Sequence, residues 1–187
     1  MNYMINAVRH FKTINRHKWE VLKNCFRVGL YRQGIMHDLS KYSWVEFKTG
    51  IMYYQGDKSP NTEERLKTGV SEAWLHHKGR NRHHFEYWCD YDLEKKGTMI
   101  GCRMPYRYVA EMFCDRVAAA KVYKGKDYHD GVAWEYFEPT RETTLLHPET
   151  KKELIELLMM LKNEGEDKAF TYLREEIKRR KRENDHF

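Results

Sequence analysis

The sequence has few cysteines and no long apolar segment, and both absences exclude classes of protein. Its four cysteines show no CxxC spacing, which disfavours a zinc finger and indicates reduced thiols in a cytoplasmic protein. No apolar run approaches the ~20 residues that a membrane span needs, so no membrane partner is expected. Charges interrupt the first residues where a signal peptide has its apolar core, so export is not expected.

The chain also lacks an internal repeat, a glycine-rich phosphate loop, and any Ser-His or Cys-His arrangement with recognisable spacing. What it contains is typical of one globular domain: 187 residues, 41% hydrophobic and 33% charged. The net charge of +6 has its clearest concentration in residues 178–182. That excess fits an anionic substrate, but we prefer its interpretation as a solvated basic tail.

Apolar residues recur at helical spacing through most of the chain, which predicts an all-α protein. The first helix is expected over about 3–32, with Gly34 as its C-cap. Ser43 and Glu46 have the spacing of a capping box at the start of the second helix. Segments 56–61 and 125–147 are predicted to be loops, and 90–101 an irregular flap. The remaining helices are predicted over about 43–54, 62–78, 106–124, 148–163 and 167–182.

The strongest functional signal is the doublet His37-Asp38. His17 lies on the apolar side of the first predicted helix, and Asp115 lies on the apolar stripe of the 106–124 helix. A buried carboxylate costs several kcal/mol unless it is paired or bound to a metal. Imidazoles and carboxylates are ligands of zinc, iron, manganese and cobalt. The alternatives are a hydrogen-bonded core histidine and a salt-bridged aspartate. His10 is a weaker candidate.

Four histidines within nine positions, embedded in aromatic residues, form a second signal. A turn through Gly79 and Asn81 would let the two pairs converge. We therefore predict that at least one member of each pair lines the same cavity as Asp38, although capping of surface turns is an alternative. A second doublet, at residues 129–130, lies in a polar turn and is interpreted as chance. The four histidines are His76, His77, His83 and His84.

A helical histidine, a His-Asp doublet and a later helical aspartate, in this order, resemble the HD superfamily of metal-dependent phosphohydrolases. The resemblance covers about residues 14–124 and implies a single-domain helical bundle. It also implies one metal held by His17, His37, Asp38 and Asp115. Superfamily members with two metals have further histidines in the interval where His76, His77, His83 and His84 lie in this chain. Of these, His77 and His84 are predicted as the further metal ligands.

The string HDLSK is similar to the HDIGK of the HD-GYP branch, in which the lysine serves the substrate phosphate, and Lys41 matches that lysine. The GYP part is absent, so cyclic-dinucleotide hydrolysis is not implied. HDLSK-YS together with HHK-RN-HH most resembles an uncharacterised bacterial and phage group of HD-like proteins. Glu111, one turn before Asp115, is a candidate partner for a ligand.

The implied function is hydrolysis of a small anionic substrate, a nucleotide-like phosphate mono- or diester, with one or two manganese, iron, cobalt or zinc ions. Asp38 and Lys41 would be catalytic. An HD-like metal-binding domain is expected over 1–165 and a basic helix or tail over 166–187. Two alternatives stay open: a di-iron oxygenase of the same fold, and a non-enzymatic nucleic-acid-binding module that uses Arg179–Arg182. The expected substrate-binding residues are Lys41, His76, Arg80, Arg82 and His83.

Overall fold

The helices that the apolar spacing predicts form an all-α bundle, and the fold also contains one short β-hairpin. The structure is a computed structural model that describes residues 3–56 and 58–187. Within these ranges the hairpin strands are β1 (Cys89–Tyr91) and β2 (Met99–Gly101). The helices are α1 (Tyr3–Arg27), α2 (Tyr31–Met36), α3 (Trp44–Met52), α4 (Pro60–Thr68), α5 (Glu72–Lys78), α6 (Tyr106–Lys124), α7 (Val132–Phe137), α8 (Pro148–Glu164) and α9 (Glu166–Glu183).

Helix α6 is the centre of the fold. Its apolar residues Val109, Phe113 and Val117 are completely buried, and α1, α7, α8 and α9 all contact it. The leucines of α8 are fully buried in the same core, which α9 also joins: Leu154, Leu157, Leu158 and Leu161. One core built from helices confirms the predicted all-α, single-domain fold. In the described part of the chain, no helix combines the length and the apolar character needed to cross a membrane.

The first predicted helix ends earlier than its apolar pattern indicated. Gly29 has φ +80°, a left-handed conformation that stops α1 and allows α2 to begin at Tyr31. Gly34 is therefore not the C-cap that we predicted. It is buried within α2, where an added Cβ would lie 3.0 Å from the Cβ of Cys25. Its role is to let α2 approach α1 closely.

The helix predicted over 62–78 is two helices, α4 and α5. Gly69 ends α4 at φ +81°, and Ser71 begins α5 by accepting a hydrogen bond from the backbone of Trp74 at 3.0 Å. The loop predicted over 56–61 is shortened because Pro60 already begins α4, a position that suits its fixed φ. Asp57 of that loop lies outside the described residues, as do Met1 and Asn2.

Two segments predicted to be irregular contain regular structure. The irregular flap predicted over 90–101 has its two ends in the ladder of β1 and β2, which begins with Cys89 opposite Gly101, and residues 92–98 connect the strands irregularly. In the loop predicted over 125–147, α7 buries Trp134 and Phe137 against the core. Both elements are too short to show a period in the sequence.

Candidate metal centre

The doublet His37-Asp38 lies at a sharp turn between α2 and a 3-10 turn (Leu39–Tyr42). Adjacent residues on a regular helix point about 100° apart, so they cannot share one target. Asp38 has φ +53°, a left-handed conformation that is uncommon outside glycine, and both side chains are buried. Lys18 supports the turn by donating to the backbone carbonyls of Ile35 at 2.9 Å and His37 at 3.0 Å.

One oxygen of the Asp38 carboxylate lies close to the residues that the resemblance implied as ligands. Asp38 Oδ2 lies 3.3 Å from His37 Nε2 and 3.7 Å from His17 Nε2. Asp115 Oδ1 lies 2.9 Å from His17 Nε2 and 3.6 Å from His37 Nε2. One candidate ligand atom from each of these four residues lies within 4.8 Å of all the others. We call this group subsite 1.

The other face of the same carboxylate meets the histidine-rich segment. Asp38 Oδ1 lies 3.3 Å from His77 Nε2 and 3.4 Å from His83 Nε2. His84 Nε2 lies 2.9 Å from His77 Nε2. These four residues form a second group whose ligand atoms are within 4.8 Å of one another, which we call subsite 2. Asp38 belongs to both subsites and presents one oxygen to each.

The atoms that converge here lack ordinary hydrogen-bond partners. The Nε2 atoms of His17, His37 and His83 and the Oδ1 of Asp38 are buried, and none forms a hydrogen bond with the described residues. The short approach of His17 to Asp115 does not have hydrogen-bond geometry. Buried polar atoms without partners are rare and costly. Because these atoms are imidazole nitrogens and carboxylate oxygens, the donor set fits a divalent transition metal.

Glu111 fixes the orientation of one ligand ring in each subsite. Its Oε1 lies 3.0 Å from His37 Nδ1 and 3.2 Å from His83 Nδ1. When each Nδ1–H donates to this carboxylate, the lone pair of each ring lies on Nε2, on the side of Asp38. The partner role predicted for Glu111 thus has a matching geometry.

Glu46 fixes the orientation of His77 in subsite 2 and of the neighbouring His76, a role that the sequence did not predict. Its Oε2 lies 2.8 Å from His77 Nδ1 and its Oε1 lies 2.7 Å from His76 Nδ1. The capping box predicted from Ser43 and Glu46 is wrong, since Ser43 caps α3 without any side-chain hydrogen bond. The glutamate carboxylate is instead turned inward, and the only sequence signal for this was its position five residues after the HDLSK string.

The charges in the centre keep the carboxylates ionised. Burial opposes ionisation of Asp38, but the neighbouring His37 and Lys41 hold the pKa of its carboxyl well below the usual range. Burial, reinforced by the charges of His83 and His77, holds the pKa of His84 well below its usual value. An ionised aspartate and a neutral histidine are the forms that bind metal ions, whereas the charge of Asp38 raises the pKa values of His37 and His77, so these rings would release protons on binding a metal.

Lys41 lies at the open side of subsite 1. Its Nζ is 2.6 Å from Asp38 Oδ2, because the 3-10 turn brings it back over the aspartate. Burial would lower the pKa of its ammonium, but the charges of Asp38 and Asp115 raise it. The side chains of Lys41 and Asp115 are 29% and 17% exposed, whereas His37 and Asp38 are almost completely buried. Solvent therefore reaches the centre from the Lys41 side.

Not all the predicted substrate-binding residues lie together. His83 is in subsite 2 with the candidate ligands, and His76 lies beside Glu46. Arg80 and Arg82 are exposed and line a cavity of about 550 Å³ next to Glu111. They are thus separated from Lys41 by the imidazoles of the centre.

Other candidates lie away from the centre. His10 packs against the rings of Phe47 and Tyr54, and burial followed by the charge of Lys41 lowers its pKa to about 4. The second doublet is in an exposed turn and takes part in no candidate metal group of the described residues, as the chance interpretation expected.

The basic C-terminal run is partly neutralised by ion pairs. Arg179 pairs with Glu176 and Glu183 on the same helix, and Arg180 pairs with Glu176 and with Glu153 of α8. Two of the four basic residues assigned to the alternative nucleic-acid-binding module thus have carboxylate partners.

Comparison with known proteins gives one result. A family model described as "Family of unknown function (DUF5662)" matches residues 6–160, a range that contains every residue of subsites 1 and 2. Searches of curated proteins and of solved structures found no match. Because the model covers most of the sequence, the chain belongs to the DUF5662 family.

Proposed function

We propose that this protein is a cytoplasmic metal-dependent phosphohydrolase that hydrolyses a nucleotide-like phosphate mono- or diester. The observation that carries the proposal is the division of the Asp38 carboxylate, with Oδ2 facing His17 and His37 and Oδ1 facing His77 and His83. A carboxylate shared by two groups of imidazoles suits two ions close together. Two-ion sites of this kind hydrolyse phosphate esters in many enzymes.

The chain's own residues prepare the site in two ways. Glu46 and Glu111 hold their histidines by Nδ1, so the Nε2 atoms of these rings are directed toward Asp38. Asp38 and Asp115 contribute negative charge that offsets a bound cation. When bound, a divalent metal lowers the pKa of a water molecule toward about 7 and polarises a phosphoryl oxygen.

Lys41 is the residue that we assign to the substrate. A protonated ammonium cannot be a metal ligand, and its neighbours keep it protonated. It lies at the exposed side of the centre, beside the oxygen of Asp38 that faces subsite 1. From this position it can pair with a phosphate oxygen and offset charge that develops during hydrolysis.

A di-iron oxygenase is the second candidate. The observation that favours it is the number of imidazoles: five candidate histidine ligands surround one bridging carboxylate. Imidazole suits iron as well as zinc or copper. Iron in the purified protein, with visible absorbance that responds to oxygen, would favour this candidate over the hydrolase.

The test combines elemental analysis with a substrate panel. Purified protein is assayed against phosphomonoesters and phosphodiesters with added manganese, cobalt or iron. The Asp38→Asn variant should lose both metal and activity. The matched control is Asp130→Asn, which removes the aspartate of the second doublet and should retain both. Metal-independent hydrolysis, full metal occupancy in Asp38→Asn, or no turnover of any phosphate ester by the metal-loaded protein would each contradict the proposal.

A further inference from the structure

A cluster of arginines lies on the side of His37 and His83 that faces away from Asp38. A cavity of about 550 Å³ is lined by four arginines from three parts of the chain. Arg32 belongs to α2, Arg80 and Arg82 flank the turn of the histidine-rich segment, and Arg107 belongs to α6. Cavities of this volume are typical of small-ligand sites.

The charges of these arginines are not neutralised by the protein. Within residues 3–56 and 58–187, none of the four has a carboxylate oxygen within ion-pair distance. Arg80 donates to the backbone carbonyl of His76 at 3.3 Å, and Arg82 donates to the Tyr108 hydroxyl at 3.4 Å. The Nε of Arg107 is buried and forms no hydrogen bond to any described residue. Some arginines elsewhere in the fold, such as Arg27 and Arg179, do have carboxylate partners.

One carboxylate lines the cavity, and it is already engaged. Glu111 lies 3.0 Å from His37 Nδ1 and 3.2 Å from His83 Nδ1. Four arginines therefore line the same cavity as one glutamate, whose charge is shared with two imidazoles. Like charges brought into one concave surface repel, and an anionic ligand removes that repulsion.

We propose that this cavity binds a small, multiply charged phosphate-type anion. The planar donor fork of arginine matches the oxygens of phosphate, and several forks around one cavity favour a ligand with several phosphate groups. Tyr108 and Asn81 add neutral polar groups to the lining. The concave shape favours a small oligophosphate over the extended backbone of a nucleic acid.

The site is distinct from the metal centre. Glu111 lines the cavity and contacts the Nδ1 atoms of the imidazoles, whereas Asp38 faces their Nε2 atoms. The rings of His37 and His83 thus separate the two sites. His37 and His83 also line the cavity, but anion binding there requires neither a bound metal nor the proposed hydrolase function.

The test is calorimetric titration with inorganic triphosphate. Because triphosphate also chelates metals, the titration is run on the wild type and on Asp38→Asn, whose metal centre is disabled. The double variant Arg32→Gln with Arg107→Gln should weaken binding by about tenfold or more, the effect of losing charge-assisted hydrogen bonds. Arg174→Gln is the matched control, since this exposed α9 arginine lies outside the cavity and its loss changes charge alone.

Binding should persist in Asp38→Asn and Arg174→Gln, weaken in the double variant, and decrease as salt increases. Circular dichroism would verify that each variant is folded, and the Arg32→Lys and Arg107→Lys variants would separate charge from fork geometry. The proposal is overturned if triphosphate does not bind, if binding is lost in Asp38→Asn, or if Arg174→Gln weakens it equally. It is also overturned if single-stranded DNA binds through these arginines and triphosphate does not.

Discussion

Glu111 is the residue through which the two subsites can be perturbed together. Its carboxylate contacts His37 of subsite 1 at 3.0 Å and His83 of subsite 2 at 3.2 Å, each at Nδ1. The change Glu111→Gln keeps the size of the side chain but removes its charge. A glutamine has one acceptor oxygen, a weaker partner for two donating rings than a carboxylate. Both rings should therefore become less basic and less fixed in orientation.

The magnitude follows from the behaviour of metal sites generally. Loss of a hydrogen-bonding partner behind a ligand typically lowers metal affinity 10- to 100-fold, or about 1.4–2.7 kcal/mol. Since one ring of each subsite is affected, we expect both binding steps of Glu111→Gln to weaken by at least about tenfold. Glu46→Gln provides the contrast. Glu46 contacts His77 but no ring of subsite 1, so only one of the two steps should weaken.

The assay is a titration with Co²⁺ or Mn²⁺ in competition with a chelator, which resolves the two dissociation constants. Thermal unfolding of each variant would verify that the fold is retained. If Glu111→Gln leaves both constants within about twofold of the wild type, the orienting role derived from these contacts is refuted. Equal weakening of both steps by Glu46→Gln would refute the separation into two subsites.

Three further predictions concern the same chain. His77→Ala and His84→Ala should each lower the metal content from about two equivalents to about one, measured by elemental analysis, and unchanged stoichiometry would remove subsite 2. Lys41→Gln should keep its metal but lose phosphate-ester turnover, so loss of metal in this variant would contradict its assignment to the substrate. Hydrogen bonds from Arg179 hold the pKa of Glu176 at about 2, below its usual 4.5. Because this folded-state pKa is depressed, its contribution of about 1 kcal/mol is present above pH 4.5 and is lost as the pH falls toward 2. The unfolding free energies of wild type and Glu176→Gln should therefore converge over that range in denaturant titrations, whereas a constant difference would be the opposite result.

The helices could be predicted where their apolar pattern extends over several turns. Helices α6, α8 and α9 each span several turns, and their apolar spacing gave boundaries within a few residues of the observed ones. The failures occurred at single residues. Gly29 and Gly69 break predicted helices because each adopts a positive φ, and the sequence does not show which glycines will do so. Gly34 was mistaken for such a residue, although what it provides is close packing.

The order of the candidate ligands along the sequence could be predicted, but the side chains that contact them could not. The resemblance implied His17, His37, Asp38 and Asp115, and these side chains do lie together. Glu46 was missed because a glutamate three residues after a serine also satisfies a capping pattern. The arginine cavity could not be foreseen as a whole, since Arg32 of α2 and Arg107 of α6 are brought to one surface only because both helices pack against α1.

The backbone at Asp38 explains how one residue can belong to both subsites. A left-handed conformation at a non-glycine residue costs roughly 1–3 kcal/mol and persists only when surrounding contacts impose it. Here Lys18 donates to the carbonyls of Ile35 and His37, and Lys41 pairs with the carboxylate from the following turn. A helical conformation would turn Asp38 away from His37, and the carboxylate would then reach one subsite at most. The strained turn directs Oδ2 to one set of imidazoles and Oδ1 to the other, so the arrangement proposed to bind two ions depends on this single residue.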